Sequence, residues 1–137
     1  MELDSLLNEL NKNGFIVEYS HQYECFGNIL IKARTQSGLL LSIILDRGYW
    51  ECGILKPSRF DILKEVPIIA AVNMVNKKIY YLKETFCFNS AEEMLDYITN
   101  NKDLLHSVDK NQIAKIYRIW VRKIIKNYFI NLIFNKA

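Results

Sequence analysis

Apolar residues recur along this chain with two different periods, and the change of period divides it. Leu3, Leu6, Leu7 and Leu10 repeat at three- and four-residue steps. That is one face of a helix, predicted over about Asp4 to Lys12, with Gly14 placed to stop it. "FIVEY", Phe15 to Tyr19, then reads as a strand, and "HQYECFG" as a connector or a second strand. In "NILIKART" the period is two. Ile29, Ile31 and Ala33 share one face, Lys32 and Arg34 the other. "QSG" supplies a turn, with Gly38 at positive φ. "LLLSIIL", Leu39 to Leu45, is apolar on both faces except at Ser42, which predicts a central strand covered at least partly on both sides. The next strand is "YWECGI", Tyr49 to Ile54. Its alternation sets Trp50, Cys52 and Ile54 toward the core and Tyr49 and Glu51 outward. Asp46-Arg47-Gly48 between these strands predicts a three-residue hairpin loop, with Gly48 left-handed in a G1 bulge.

The second half is helical. Pro67 is tolerated only in a helix's first turn, so a helix is expected from about Pro67 to Asn76. Ser58 with Asp61 is a candidate cap for a short earlier turn. "IYYLKETFCF" has β propensity but also suits an extended connection. Ser90-Ala91-Glu92-Glu93 has the form of a capping box, and Met94, Leu95 and Ile98 continue as an apolar stripe. Asn100-Asn101 is the weak point of that helix. From Ile113 to Leu132 the helical period is unbroken, through Ile116, Tyr117, Trp120, Val121, Ile124, Ile125, Tyr128 and Phe129. Asp109 or Asn111 is placed to cap its start. This wide, aromatic-rich stripe is expected to lie against the sheet. The whole is a single α+β domain, 1–137: an N-terminal helix, an antiparallel β-meander, then C-terminal helices packed on one sheet face.

Composition fits one core, since half of the 137 residues are hydrophobic and only five are Gly and two Pro. Cys25, Cys52 and Cys87 are odd in number and lie far apart, which argues against a disulfide framework or a zinc site. The acidic, amphipathic start differs from a signal peptide, and no apolar run approaches the ~20 residues of a membrane span. The expectation is a soluble cytoplasmic protein. Charge alters the picture more. Residues 1–109 hold all 15 acids and 11 Lys/Arg, whereas residues 110–137 hold seven Lys/Arg and no acid.

Candidate chemistry is sparse. A Cys25–His21 nucleophile would need both side chains within hydrogen-bond reach and a third group to orient them, and nearness in sequence supplies neither. His106 is expected at the surface near a helix end. No phosphate loop, HExxH or Gly-x-Ser-x-Gly occurs. No enzyme activity, metal or cofactor is therefore expected. Arg118, Arg122, Lys123 and Lys126 on the last helix suit a solvated outer face; nucleic-acid binding through phosphate neutralisation is the alternative, and a membrane-surface helix a third reading. Tyr, Trp and Arg dominate protein interfaces, and here Arg47, Tyr49, Trp50, Arg59 and Phe60 lie close in sequence.

"DRGYWECGI", then "RFDI", a helix, "SAEEMLDYITNNKDLL" and a final helix together resemble bacterial polymorphic-toxin immunity proteins, most of all those of contact-dependent growth inhibition systems. The positions that carry the resemblance are Asp46, Arg47, Gly48, Trp50, Ser90 and Glu93. Pro67 and the basic C-terminal helix depart from the pattern. The resemblance implies a stoichiometric inhibitor, without catalysis, that binds the toxin domain of a cognate effector and blocks its active site or assembly. Candidate toxin-binding residues are Arg47, Tyr49, Glu51, Glu24, Asp61 and Glu65. Nuclease toxins are basic, so an acidic patch that also draws on Glu18 and Asp46 would speed association. An acidic toxin surface would instead meet the basic helix. Self-association is left open by the sequence.

Overall fold

The computed structural model describes residues 1–56, 64–77 and 86–134. Helix α1, Leu3–Lys12, leads through Gly14 (φ +86°) into β1, Ile16–Gln22. Strands β2 (Ile29–Arg34), β3 (Leu40–Asp46) and β4 (Tyr49–Lys56) complete the meander. A short strand β5, Lys64–Pro67, runs directly into α2, Ile68–Val75. The two-residue strand β6, Cys87–Phe88, precedes α3 (Ala91–Asn100), α4 (Lys102–Ser107) and α5 (Lys110–Phe134). This is the expected α+β order.

Among the described residues the sheet is six-stranded and antiparallel, in the order β1-β2-β3-β4-β5. Strand β6 pairs with the start of β4, at Trp50 and Glu51, while β5 pairs with its end, from Gly53 to Lys56. Two short pieces thus share one side of β4, and β1 forms the opposite edge. β1 is mostly exposed and carries a register shift between Val17 and Tyr19, a bulge of the kind that disrupts edge-to-edge pairing.

Alternation does what the sequence predicts. Ile31, Ala33, Leu41, Ile43, Cys52 and Ile54 lie on one sheet face and are buried with Leu6 and Leu10 of α1, Met94 and Ile98 of α3, Leu105 of α4, and Ile113, Ile116 and Trp120 of α5. Trp50 is in the same core, and Tyr49 and Glu51 point outward. The Ser90 hydroxyl accepts from the Glu93 N–H, and the Glu93 carboxylate accepts from the Asn89 N–H. Asp109 and Gln112 form a similar reciprocal pair at the start of α5.

Four expectations change. First, the β3–β4 loop is shorter than expected. Asp46 pairs directly with Tyr49, so only Arg47 and Gly48 form the loop, at φ +52° and +84°. Two left-handed residues make a type I′ turn, which matches strand twist, and no G1 bulge is needed. The bulge-type hairpin instead lies between β2 and β3, where the Gly38 N–H donates to the Thr35 carbonyl and Gly38 has φ +92°. Second, β5 was not anticipated. Pro67 ends that strand and caps α2, a place where its missing N–H costs nothing. Third, His106 is half-buried and structural. Its Nδ1 accepts from the Gln36 N–H at 3.1 Å, its Nε2 lies 2.8 Å from the Asn13 carbonyl, and the ring packs on Phe15 at 4.3 Å. The last change concerns α5. Ile113, Ile116 and Trp120 are buried, but Ile124, Ile125, Tyr128, Phe129 and Leu132 are exposed. Only the first half of the stripe reaches the core. Ser58, Arg59, Phe60, Asp61 and most of "IYYLKETFCF" lie outside the described residues.

Candidate protein-binding surface

The β1–β2 loop and the β3–β4 turn meet at one end of the sheet. The Tyr23 N–H donates to the Asn28 carbonyl at 2.7 Å, closing a loop of Glu24, Cys25, Phe26 and Gly27. Asn28 then ties this loop to the neighbouring turn. Its amide donates to the Asp46 carboxylate at 3.4 Å, and its side-chain oxygen accepts from the Arg47 N–H at 3.3 Å. Two turns that would otherwise move separately are joined by one side chain.

Phe26 stands out on this platform. Its φ is +60°, a left-handed conformation that costs a bulky residue energy, and its side chain is 87% exposed. Beside it lies a groove of about 450 Å³ with a mostly apolar lining. Tyr23, Cys25, Ile29, Leu30, Ile44, Leu45 and Asp46 line it. Tyr49 is also exposed, and it borders a second groove of about 520 Å³ with Ile69, Cys87 and Phe88. Glu24, Asp46 and Glu51 add acids around the aromatics, and Arg47 adds one cation.

The expected binding residues therefore divide. Glu24, Arg47, Tyr49 and Glu51 are exposed and belong to this end of the sheet or continue from it along β4. Glu65 is only half-exposed. Its side chain lies across Gly53, which has no Cβ to obstruct it. Burial pushes the Glu65 carboxyl above its usual value, the charge of Glu51 adds to this, and Lys32 opposes it. Glu18 is committed to Arg34, whose guanidinium grips the carboxylate through two nitrogens and holds it below the usual carboxylate range. It is not a free member of an acidic patch. Asp61 lies outside the described residues. Tyr23 and Phe26 were missed in the sequence, although "CFGN" offered the sign of a glycine-assisted turn around an aromatic.

The thiols and histidines do not converge on a shared centre. Cys52 is fully buried, and burial pushes its thiol far up. Burial and then a hydrogen bond to Glu51, at 3.5 Å, also raise Cys87. Neither is poised as a thiolate. Cys25 is exposed, and His21 packs edge-on against Tyr23 at 4.4 Å. Among the described residues no group of three His, Cys, Asp or Glu is placed to hold a metal ion.

The basic candidates form a second surface. Arg118, Arg122 and Lys126 follow one another at four-residue steps on α5 and are exposed, whereas Lys123 is half-buried on another side. Among the described residues no helix is long and apolar enough to cross a membrane. No family model, curated protein or solved structure matches this chain.

Proposed function

We propose that the chain is an immunity protein that binds the toxin domain of a cognate bacterial effector and neutralises it stoichiometrically, in the cytoplasm where the toxin would act. The resemblance suggests this role, and the end of the sheet supplies a surface suited to it. Phe26 is the observation that carries the reading. A left-handed, nearly fully exposed aromatic beside an apolar groove is costly in a free monomer, and the cost is recovered when a partner covers it. The surrounding acids favour a basic toxin domain, because opposite charge speeds encounter and fixes orientation. The contact set is Phe26, Tyr23, Tyr49 and Arg47, with Glu24 and Glu51 at the rim.

The test is co-expression with the C-terminal domain of an effector encoded beside this gene. The expected result is a co-purifying one-to-one complex and rescued growth. Absence of both would sink the reading. Phe26→Ala and Tyr49→Ala should each weaken the complex by on the order of 2 kcal/mol, about thirty-fold in Kd, without lowering Tm. The alternative, nucleic-acid binding by Arg118, Arg122, Lys123 and Lys126, makes use of the basic line but leaves the apolar side of the same helix unused.

A further inference from the structure

The second half of α5 was expected to be core and is instead surface. Past Val121 the helix leaves the shared core, and Ile125, Tyr128, Phe129 and Ile133 are 49%, 61%, 57% and 69% exposed. At about 100° per residue, the side chains from Ile124 to Ile133 cover roughly half of the helix circumference or more. Asn127 and Asn131 lie one turn apart on the remaining side. At the same 100° step Arg118, Arg122 and Lys126 fall at the angles of Ile125, Phe129 and Ile133, so the basic line leads from the domain end into the apolar arc. Residues 110–137 contain no acid at all, and 127–135 contain no charge.

We propose that this half of α5 docks on an anionic lipid surface. The chemistry is that of an interfacial helix: an apolar arc rests at the boundary between headgroups and acyl chains, basic side chains meet lipid phosphates, and the side that continues the core-facing line of Ile113, Ile116 and Trp120 is turned away from the lipid. Three observations favour this occupant. A nucleic acid would engage the basic line and leave the apolar arc in water. A second copy would bring two acid-free helices, each with several cations, against one another. A groove on a protein covers one narrow face, whereas these apolar residues spread around more than that. The helix is too polar to cross the bilayer, so it would lie on it. The proposal is independent of toxin binding, which was argued from the end of the sheet.

Flotation of the protein with phosphatidylcholine vesicles, with and without phosphatidylglycerol, tests it. The expected result is flotation with the anionic vesicles alone, weakened by added salt. Arg122→Glu with Lys126→Glu, and separately Tyr128→Ser with Phe129→Ser, should each reduce vesicle partitioning at least about ten-fold. All four side chains are exposed, so circular dichroism should be unchanged. The proposal is overturned if wild-type protein fails to float, or if flotation survives the Tyr128/Phe129 replacement. It is equally overturned if that replacement instead turns a dimer into a monomer by light scattering, abolishes the toxin complex, or leaves a salt-sensitive affinity for duplex nucleic acid as the only binding detected.

Discussion

At the scale of single residues, the β3–β4 turn shows how backbone geometry sorts side chains. Both positions of a type I′ turn require positive φ, and Arg47 occupies the first of them. Asn tolerates that region better than Arg, so Arg47→Asn should stabilise the fold by about 0.5 kcal/mol. Gly48→Val should destabilise it by about 1 kcal/mol or more, because a β-branched residue resists φ +84°. Urea unfolding measures both, and equal midpoints for the two variants would exclude the turn type. Glu65 offers a second case. Its carboxyl is raised above the usual 4.5, chiefly by burial. Between the unfolded and folded values the native state binds more protons, so stability falls as pH rises through that window. Glu65→Gln removes the burial cost of the charge. The variant should exceed the wild type in stability at neutral pH, and the difference should vanish as pH falls below the unfolded carboxyl's value. A pH series of thermal melts decides this; a gap that persists in acid would contradict it.

At the scale of elements, what was legible depended on whether the controlling contact was local. The Ser90 and Asp109 caps, the stop at Gly14 and the alternation of β2 and β4 are local, and the pattern of residue types is enough to predict them. Strand β5 is four residues long, ends in proline and exists because it pairs with β4, so nothing local announces it. The length of the turn at Arg47 is not legible for a related reason: loop length follows from strand register, and register is a property of two strands. Phe26 was legible only as an aromatic in an ambiguous connector. His106 shows the limit most clearly, because its partners lie 70 and 93 residues away. The ring links the end of α1, the β2–β3 turn and α4 in its neutral form, accepting at Nδ1 and donating at Nε2. His106→Ala leaves the Gln36 N–H and the Asn13 carbonyl without this partner and should cost about 1–3 kcal/mol. Hydrogen exchange at Gln36 and Phe15 should quicken more than exchange in β3. Uniform quickening would mean that the ring acts only as core packing.

At the scale of the whole molecule, a net charge of +3 conceals two surfaces of opposite character. The end of the sheet combines exposed aromatics with Glu24, Asp46 and Glu51; the exposed half of α5 combines aliphatic and aromatic residues with Arg118, Arg122 and Lys126. A stripe folded wholly into the core would leave α5 only its solvated outer face. Its exposure is what divides the molecule into a firmly packed body and a helical extension. These surfaces share no residue, and changes at separate sites add when no partner is common to both. Phe26→Ala should therefore lower toxin affinity and leave flotation intact, whereas Tyr128→Ser with Phe129→Ser should abolish flotation and leave toxin affinity intact. The combined variant should show the two losses together, within about 0.5 kcal/mol of additivity for the toxin complex. Added salt should slow toxin association through the acidic rim and release vesicles from the basic line, two effects of one screening length on separate surfaces. Strong coupling between the variants would mean that one partner spans both surfaces, and the helix would then belong to the toxin interface rather than to a lipid surface.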